Sequence, residues 1–267
     1  MNIDILKALI LGIVQGLTEF LPVSSSGHLE IVNELMGSQS LDSDLTMVVL
    51  VHLGTALSIL YVYRKDILEL LLGISFTSMG GSNAFILKII ISMMPALIVG
   101  LAFEEYIESL FSGSILWVGI FLIVTAIILF FTPGPNVRQS KKELTWIDSL
   151  IIGVSQAIAI LPGISRSGMT IATALYNGIN RESAAKFSFL MVLPVIFGKI
   201  VLDVASGDLV ISSSNVYPIA TALISSFVVG VWACKWMVAL VKNSKLKYFS
   251  YYCALVGGLT ILFHLYG

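Results

Sequence analysis

The feature that most constrains this chain is a series of long apolar stretches separated by short polar connections. Six of these stretches come close to the roughly 20 residues that an α-helix needs to cross about 30 Å of hydrocarbon. They occupy residues 45–63, 84–103, 115–131, 187–204, 217–240 and 249–266. Charged residues make up only 12% of the chain, against roughly 25% in soluble domains. The sequence therefore predicts an all-α polytopic membrane protein that forms one membrane domain over residues 1–267.

Two further apolar segments, at residues 5–35 and 147–176, are broken by polar turns. The first is interrupted by Pro-Val-Ser-Ser-Ser-Gly at 22–27 and the second by Pro-Gly-Ile-Ser-Arg-Ser-Gly at 162–168. Irregular backbone at membrane depth is tolerated only where protein or water covers it. We therefore expect two re-entrant helical hairpins, at about 5–36 and 147–176, in addition to the six transmembrane helices.

The two broken segments resemble each other, which indicates an internal repeat. Gly-Ile-Val-Gln at 12–15 precedes the first turn, and Gly-Val-Ser-Gln at 153–156 precedes the second. Each hairpin is followed by three spans, and because three is odd, the second copy has to cross the membrane upside down. This is an inverted-topology repeat. We predict a first repeat at 1–131, a cytoplasmic linker at 132–146 and a second repeat at 147–267, with the two hairpins meeting near the midplane.

The distribution of charge predicts the orientation in the membrane. The positive-inside rule assigns to the cytoplasm four basic clusters, which are Arg64-Lys65, Arg138 with Lys141 and Lys142, Arg181 with Lys186, and Lys242 with Lys245 and Lys247. The remaining connections carry acidic residues, namely Glu104, Glu105, Glu108 and Asp208. This assignment predicts a multi-pass protein of the plasma membrane with both termini outside.

The net charge excludes one class of partner. A surface that binds DNA or RNA needs an excess of Lys and Arg to replace counterions, whereas the formal net charge here is −1. We expect no nucleic-acid partner, and any polyanion has to be bound locally.

Ionisable residues at membrane depth are costly, and they indicate function by default. Glu19, His28 and Arg166 lie in or beside the two broken turns. Each turn also opens a helix, whose free backbone N–H groups and dipole favour an anion. Together with the guanidinium of Arg166, the two helix starts predict a cradle for a diphosphate. Its members are Ser24, Ser26, Gly27, Ser165, Arg166, Ser167, Gly168 and Thr170.

The first turn also carries residues suited to phosphoryl transfer. Ser25 and His28 are three apart, so a helix would bring the hydroxyl and the imidazole to one face, as a nucleophile and its base. Either residue could bond to phosphorus. Gln15 and Glu19 are four apart and could present two oxygen ligands to a divalent cation, Mg²⁺ or Ca²⁺. The predicted catalytic set is Glu19, Ser25, His28 and Arg166, and the predicted metal ligands are Gln15 and Glu19.

Each of these residues also has a purely structural interpretation. A serine triplet before a helix is often only a cap. Arg166 could pair with a helix C-terminus, and Gln15 could simply brace Glu19. We interpret His52, inside the first predicted span, as a hydrogen-bonded core histidine rather than a catalyst.

Two sequence motifs carry a family resemblance. Gln-Gly-Leu-Thr-Glu-Phe-Leu-Pro-Val-Ser-Ser-Ser-Gly-His at 15–28 and Pro-Gly-Ile-Ser-Arg-Ser-Gly-Met-Thr at 162–170 resemble the two signatures of the undecaprenyl-diphosphate phosphatase family linked to bacitracin resistance. The resemblance extends over essentially the whole chain. It implies hydrolysis of a polyprenyl diphosphate lipid to the monophosphate, which recycles the lipid carrier for peptidoglycan synthesis in bacteria.

The resemblance also implies which residues act and where. It gives catalytic or binding roles to Glu19, Ser25, His28, Ser165, Arg166 and Thr170. It further implies a divalent cation and an active site that is reached from the outer face of the membrane. One residue departs from the family pattern: Gln15 stands where the family commonly has glutamate, so an anionic metal ligand is replaced by a neutral amide.

A second function class fits part of the pattern. Inverted repeats with broken helices at the midplane are also typical of transporters, so a flippase or transporter of a phosphorylated polyprenyl lipid is the alternative. The Ser25, His28 and Glu19 set favours an enzyme, because transport needs neither a nucleophile nor a base. Membrane lipid surrounds the protein in either case, and a homodimer is one option for its oligomeric state.

Overall fold

The computed structural model describes residues 3–36, 45–75, 80–103, 105–107, 110, 115–134, 143–207, 209, 215–243 and 245–266. These residues form helices joined by turns, with no β-strand in the described ranges. Eleven helices lie wholly within them. They are α1 Ile3–Thr18, α2 Ser25–Leu35, α3 Leu45–Val62, α4 Arg64–Leu72, α5 Gly81–Ala102, α6 Ile115–Phe130, α7 Trp146–Ile158, α8 Arg166–Tyr176, α9 Arg181–Ser206, α10 Val216–Lys242 and α11 Lys247–Tyr266.

Four helices, α5, α9, α10 and α11, are long and apolar enough to cross a membrane. A fifth span results if α3 and α4, which are bent by 71° at their junction, are counted together. Helix α6 is apolar but has only 16 residues. The prediction of an all-helical, multi-pass membrane protein is confirmed. The arrangement as six spans and two re-entrant hairpins stays a prediction.

The helices differ from the predicted spans mainly at ends that lie next to charged residues. Helix α9 starts at Arg181, six residues before its predicted apolar run, because Asn180 accepts a hydrogen bond from the backbone N–H of Ser183 and caps the helix there. Helix α3 ends at Val62, and the charged segment that follows forms α4 instead. The predicted basic residues at 138, 141 and 142 and the acidic ones at 104, 108 and 208 lie outside the described residues.

Both broken segments form helical hairpins, α1 with α2 and α7 with α8. A serine caps the second helix of each: Ser24 Oγ accepts from the backbone N–H of Gly27, and Ser165 Oγ accepts from that of Gly168. The two hairpins therefore have the same local design, as the repeated sequence predicts.

Glycine lets the first helix of each hairpin pack closely on a helix from the other half of the chain. Helix α1 packs against α10, where a Cβ added at Gly12 would lie 2.5 Å from the backbone oxygen of Ala222. Helix α7 packs against α5, where a Cβ added at Gly153 would lie 2.5 Å from the backbone oxygen of Ser92. Small residues allow such close approach between membrane helices. Because each hairpin packs against a helix of the other half, the two hairpins lie together in the interior.

Candidate active site

The two polar turns are in direct contact. Ser167 Oγ donates to the backbone oxygen of Leu21 at 3.2 Å, which ties the start of α8 to the first turn. A Cβ added at Gly168 would lie 3.0 Å from Pro22 Cβ, and one added at Gly27 would lie 3.2 Å from Gly163 Cα. The starts of α2 and α8, at Ser25 and Arg166, therefore face one buried region although they lie 141 residues apart in sequence.

Backbone strain is concentrated at the same place. Ser24 has φ 68°, and no other non-glycine residue in the described ranges has a positive φ. Gly163 in the second turn has φ 97°, and Thr125 of α6 holds that turn by donating to Gly163 O and accepting from the backbone N–H of Ser165, each at 3.0 Å. Strained residues persist where the surrounding structure holds them and are frequent at functional sites.

Glu19 is the centre of the polar network. It lies just after α1 and is only 7% exposed. Its Oε1 accepts from Arg166 Nη2 at 2.5 Å, so the charge of one hairpin meets the charge of the other. Its Oε2 accepts from Ser25 Oγ at 2.7 Å and from Gln15 Nε2 at 3.1 Å. The network thus joins four of the predicted site residues around one carboxylate.

The guanidinium of Arg166 is held on two sides. Besides its bond to Glu19, its Nη1 donates to the backbone oxygen of Ser188 on α9 at 3.3 Å. Arg166 is the first residue of α8, so its charge lies at the helix start, where backbone N–H groups also attract anions. The structural alternative, a pairing with a helix C-terminus, is not what these contacts show.

Ser25 faces the carboxylate of Glu19 and not the imidazole of His28. His28 Nδ1 is 2.8 Å from the backbone oxygen of Ser24, and Nε2 is 2.8 Å from the hydroxyl of Tyr252. Because a carbonyl only accepts, Nδ1 of the neutral ring carries the proton, and Nε2 accepts from Tyr252. Spacing correctly predicted that the two residues share a helix, but the group in position to receive the Ser25 proton is Glu19.

The other hydroxyls predicted to bind phosphate make bonds within the protein. Ser24 and Ser165 are the helix caps described above, and Ser26 Oγ lies 3.4 Å from Ser24 Oγ. Thr170 Oγ1 donates to the backbone oxygen of Arg166 at 2.9 Å and lies 2.6 Å from Ser188 Oγ. The backbone N–H groups of Gly27 and Gly168, which were also predicted to bind phosphate, bond to the capping serines. The first two N–H groups of each helix, at 25 and 26 in α2 and at 166 and 167 in α8, have no acceptor within their helix.

Gln15 braces Glu19 in this structure, as its structural interpretation expects, and it also has one oxygen that could coordinate a cation. Gln15 is fully buried, its Nε2 donates to Glu19, and its Oε1 has no hydrogen-bond partner. Within the described ranges, no three His, Cys, Asp or Glu side chains lie close enough to hold a metal ion together. A cation at Gln15 and Glu19 therefore needs further oxygens from a substrate or from water, as Mg²⁺ commonly does.

Three residues join this site that the sequence did not predict. His52 Nε2 lies 4.0 Å from Glu19 Oε2, while its Nδ1 bonds to the backbone oxygen of Val48, so the interpretation as a hydrogen-bonded histidine holds but its position beside the site was missed. Thr125 lies within an apolar run, and its being a polar residue there was the feature that could have identified it. Tyr252 comes from α11, and no local pattern pointed to it.

Comparisons with known proteins show the family to which the chain belongs. The family described as bacitracin resistance protein BacA matches residues 8–259. A protein of Christiangramia forsetii named undecaprenyl-diphosphatase is 51% identical over 261 residues, which cover 97% of this chain and 98% of that one. Proteins of the same name from Bacteroides fragilis and Alkaliphilus metalliredigens are 42% and 39% identical, over 96% and 97% of this chain and 97% and 98% of their own lengths. The chain belongs to the bacitracin resistance protein BacA family.

Proposed function

We propose that this protein hydrolyses undecaprenyl diphosphate to undecaprenyl phosphate and inorganic phosphate. The observation that carries the proposal is the hydrogen bond from Ser25 Oγ to a buried carboxylate whose other oxygen binds Arg166. A hydroxyl beside a base and a guanidinium is the arrangement that phosphoryl transfer needs. In a bacterium this reaction would recycle the lipid carrier for peptidoglycan synthesis and confer resistance to bacitracin.

The first step follows from the contacts of Ser25. Its oxygen attacks the terminal phosphorus, its proton passes to Glu19 Oε2, and the bond from that phosphorus to the bridging oxygen breaks. Undecaprenyl phosphate leaves, and the phosphoryl group stays on Ser25. Arg166 and the first N–H groups of α2 and α8 bind the phosphate oxygens as charge builds on them.

Water completes the reaction. Its oxygen attacks the phosphorus on Ser25, the Ser25 oxygen departs as phosphate is released, and the proton on Glu19 returns to Ser25. His28 lies one turn along α2, and we do not assign the deprotonation of Ser25 to it, because its two ring nitrogens bond to Ser24 and Tyr252.

A divalent cation is part of the proposal. Gln15 and Glu19 would hold it, with the unpartnered Gln15 Oε1 as one ligand. When bound, such a cation neutralises diphosphate charge and polarises the phosphoryl oxygens.

We further propose the predicted layout of six spans and two re-entrant hairpins in an inverted-topology repeat, with halves at 1–131 and 147–267. The matched packing supports it, because the equivalent glycines Gly12 and Gly153 each lie against a helix of the opposite half. The direct contact of the two turns also fits hairpins that enter from opposite faces and meet near the midplane.

The orientation, with both termini outside and the site open to the outer face, is supported by contacts among the basic clusters. Lys186 pairs with Asp66 next to the Arg64-Lys65 cluster, and Lys242 pairs with Glu182. Arg181 donates to the backbone oxygens of residues 133 and 134 at the start of the predicted linker. These clusters therefore share one end of the helix bundle, as one cytoplasmic face requires.

Release of phosphate from undecaprenyl diphosphate by the purified protein in detergent, with and without a chelator, tests the function. We expect release that the chelator suppresses. Detergent abolishes any gradient, so a flippase or transporter of a phosphorylated polyprenyl lipid would release no phosphate in this assay, and that result would contradict the proposal.

Gln15→Glu is expected to lower the concentration of divalent cation that gives half-maximal activity, because hard cations bind anionic oxygen more tightly than an amide. The measurement is phosphate release against free Mg²⁺ and against free Ca²⁺. Gln15→Met is the matched variant, since it keeps the length of the side chain without an oxygen, and it should raise that concentration. If neither variant changes it, Gln15 only braces Glu19.

Single cysteines should report the orientation. Lys65→Cys on α4 is expected to react with a membrane-impermeant thiol reagent only from the cytoplasmic side, and Glu105→Cys only from outside. Both positions are exposed. The native Cys234 and Cys253 are fully buried, so they should not react with the reagent. The reverse labelling pattern would overturn the orientation and, with it, the outward-facing site.

A further inference from the structure

Two cations lie against one aromatic ring where α3, α4 and α10 meet. The ring belongs to Tyr61, near the end of α3. The guanidinium of Arg64, the first residue of α4, is 4.7 Å from the ring centroid, and the ammonium of Lys235 on α10 is 5.7 Å from it. Arg64 Nη1 also donates to the backbone oxygen of Tyr61 at 2.7 Å. In the described part of the chain, no other ring has two cations against it.

Neither cation forms an ion pair with a carboxylate of the described residues. Two lysines at the same end of the helix bundle, Lys186 and Lys242, are each paired with one. Arg64 and Lys235 are both exposed, so a ligand can reach them. Two like charges on one ring repel each other, and an anion bound between them offsets this repulsion. The pair is therefore suited to a negatively charged ligand.

Helix α4 places the pair at the level of the lipid headgroups. It bends by 71° from α3 and has no buried residue. Leu68, Leu71 and Leu72, each more than half exposed, lie on one side of it, and charged residues lie on the other. A short helix with these two sides lies in the membrane surface with its apolar side inward. Arg64 precedes Leu68 by one turn, so its charge lies on the side that faces the membrane.

Two tryptophans of α10 indicate the same depth. Trp232 and Trp236 are exposed, and their ring centroids are 5.0 Å apart. They lie three residues before and one residue after Lys235 on the same helix. Tryptophan is enriched where the hydrocarbon meets the headgroups. The two cations therefore lie at the boundary between acyl chains and phosphates.

Exposed apolar side chains lead from the two cations towards the middle of the membrane. They are Ile224, Val228 and Trp232 on α10, and Leu57 and Tyr61 on α3. On each helix they are spaced by four residues, so each set forms a stripe along one face. The two helices pack against each other, which places the stripes side by side. Charge at the headgroup level is thus continuous with two apolar surfaces below it.

We propose that Arg64 and Lys235 bind the headgroup phosphate of an anionic membrane phospholipid, whose two acyl chains lie along the two stripes. Basic residues between membrane helices at this depth are typical binding groups for such headgroups. Two cations without a carboxylate partner favour a lipid of net negative charge, such as phosphatidylglycerol, over phosphatidylethanolamine, whose own ammonium neutralises its phosphate. The stripes add an apolar contact that a free phosphate cannot make.

This lipid site is separate from the polar network around Glu19, because the two share no residue. The bound phosphate connects the start of α4 to α10 and so holds the bend between α3 and α4 at the membrane surface. It takes no part in hydrolysis, and its presence does not depend on the function proposed above.

Quenching of tryptophan fluorescence by brominated lipid tests the proposal in the purified full-length protein in detergent micelles. Phosphatidylglycerol with brominated acyl chains should quench at a mole fraction about tenfold lower than equally brominated phosphatidylethanolamine, because its chains lie beside Trp232. Arg64→Gln and Lys235→Gln should each raise the half-saturating mole fraction of phosphatidylglycerol about fivefold, the usual effect of one basic residue near anionic lipid. Lys235→Arg keeps the charge and should bind the lipid as the unaltered protein does.

Lys65→Gln and Lys245→Gln are the matched controls. Each removes one exposed positive charge from the same end of the protein, and neither residue lies against the ring of Tyr61. Their half-saturating mole fractions should equal that of the unaltered protein.

Three results would overturn the site. Equal weakening by all four glutamine variants would show that the lipid responds only to the overall charge of this end of the protein. Equal quenching by the two brominated lipids would show that the cations do not select the headgroup. Inorganic phosphate in excess should leave the quenching unchanged, and displacement of the lipid by it would show that the pair binds a free anion instead.

Discussion

Ser25→Ala is expected to lower the rate of phosphate release by at least about a thousandfold. Removing the nucleophile of an enzyme that forms a covalent intermediate costs this much or more, because the remaining groups can only bind and polarise the substrate. The variant should still fold, since Ser25 is the first residue of α2 and the cap of that helix is Ser24. The measurement is kcat for undecaprenyl diphosphate in purified protein, together with a search for phosphate bound to the chain.

Ser149→Ala is the matched control for that experiment. Ser149 is a fully buried serine whose hydroxyl bonds to the backbone oxygen of Thr145 at the start of α7, and it has no contact with the site. Its loss should leave kcat unchanged. If Ser25→Ala retains most of the activity, Ser25 is not the nucleophile. The carboxylate of Glu19 would then act on water directly.

Arg166→Ala is expected to lower kcat by about 10²–10³-fold, the usual cost of losing one preorganised partner of transition-state charge. Arg166→Lys should recover only part of this loss, because an ammonium cannot bind two phosphate oxygens side by side as a guanidinium does. Arg181→Ala, which removes a guanidinium bound to the backbone oxygens of residues 133 and 134 and not to the site, should leave kcat unchanged.

Arg166→Ala is also expected to lower the stability of the fold, and this effect has to be distinguished from the loss of catalysis. Without Arg166, the carboxylate of Glu19 is left buried without its ion-pair partner, which typically costs about 3–5 kcal/mol. Adding Glu19→Gln removes the unpaired charge, so the double variant should recover thermal stability in detergent. Its activity should not recover. Glu19 also accepts the Ser25 proton, so a double variant that regained turnover would contradict the catalytic roles of both Arg166 and Glu19.

Much of the architecture was predictable because it depends on local pattern. The length of the apolar runs decided that the chain is all-helical and crosses a membrane several times. The serines at 24 and 165 were recognisable as helix starts, since a cap acts within three or four residues of itself. Buried charge is costly in hydrocarbon, and for that reason Glu19 and Arg166 could be selected as functional before any contact was known.

The residues at which the helices begin and end were less predictable from local pattern. An apolar run marks the part of a helix that lipid or protein covers, whereas the backbone continues until a cap or a turn ends it. Helix α9 therefore extends beyond its apolar run, and the junction at Tyr63 bends by 71° where an uninterrupted span was expected to end.

By itself, the sequence determined which residues are available for chemistry, and the tertiary structure decided which of them meet. Spacing along one helix favoured a Ser25 and His28 pair, but Ser25 bonds to Glu19, and His28 bonds to Tyr252, 224 residues further along the chain. Glu19 likewise meets Arg166 across 147 residues. These contacts arise from the packing of α1 against α10 and of α7 against α5, which brings the two hairpins together. Local spacing carries no information on such packing, because a residue's periodicity records which face is buried and not which helix covers it.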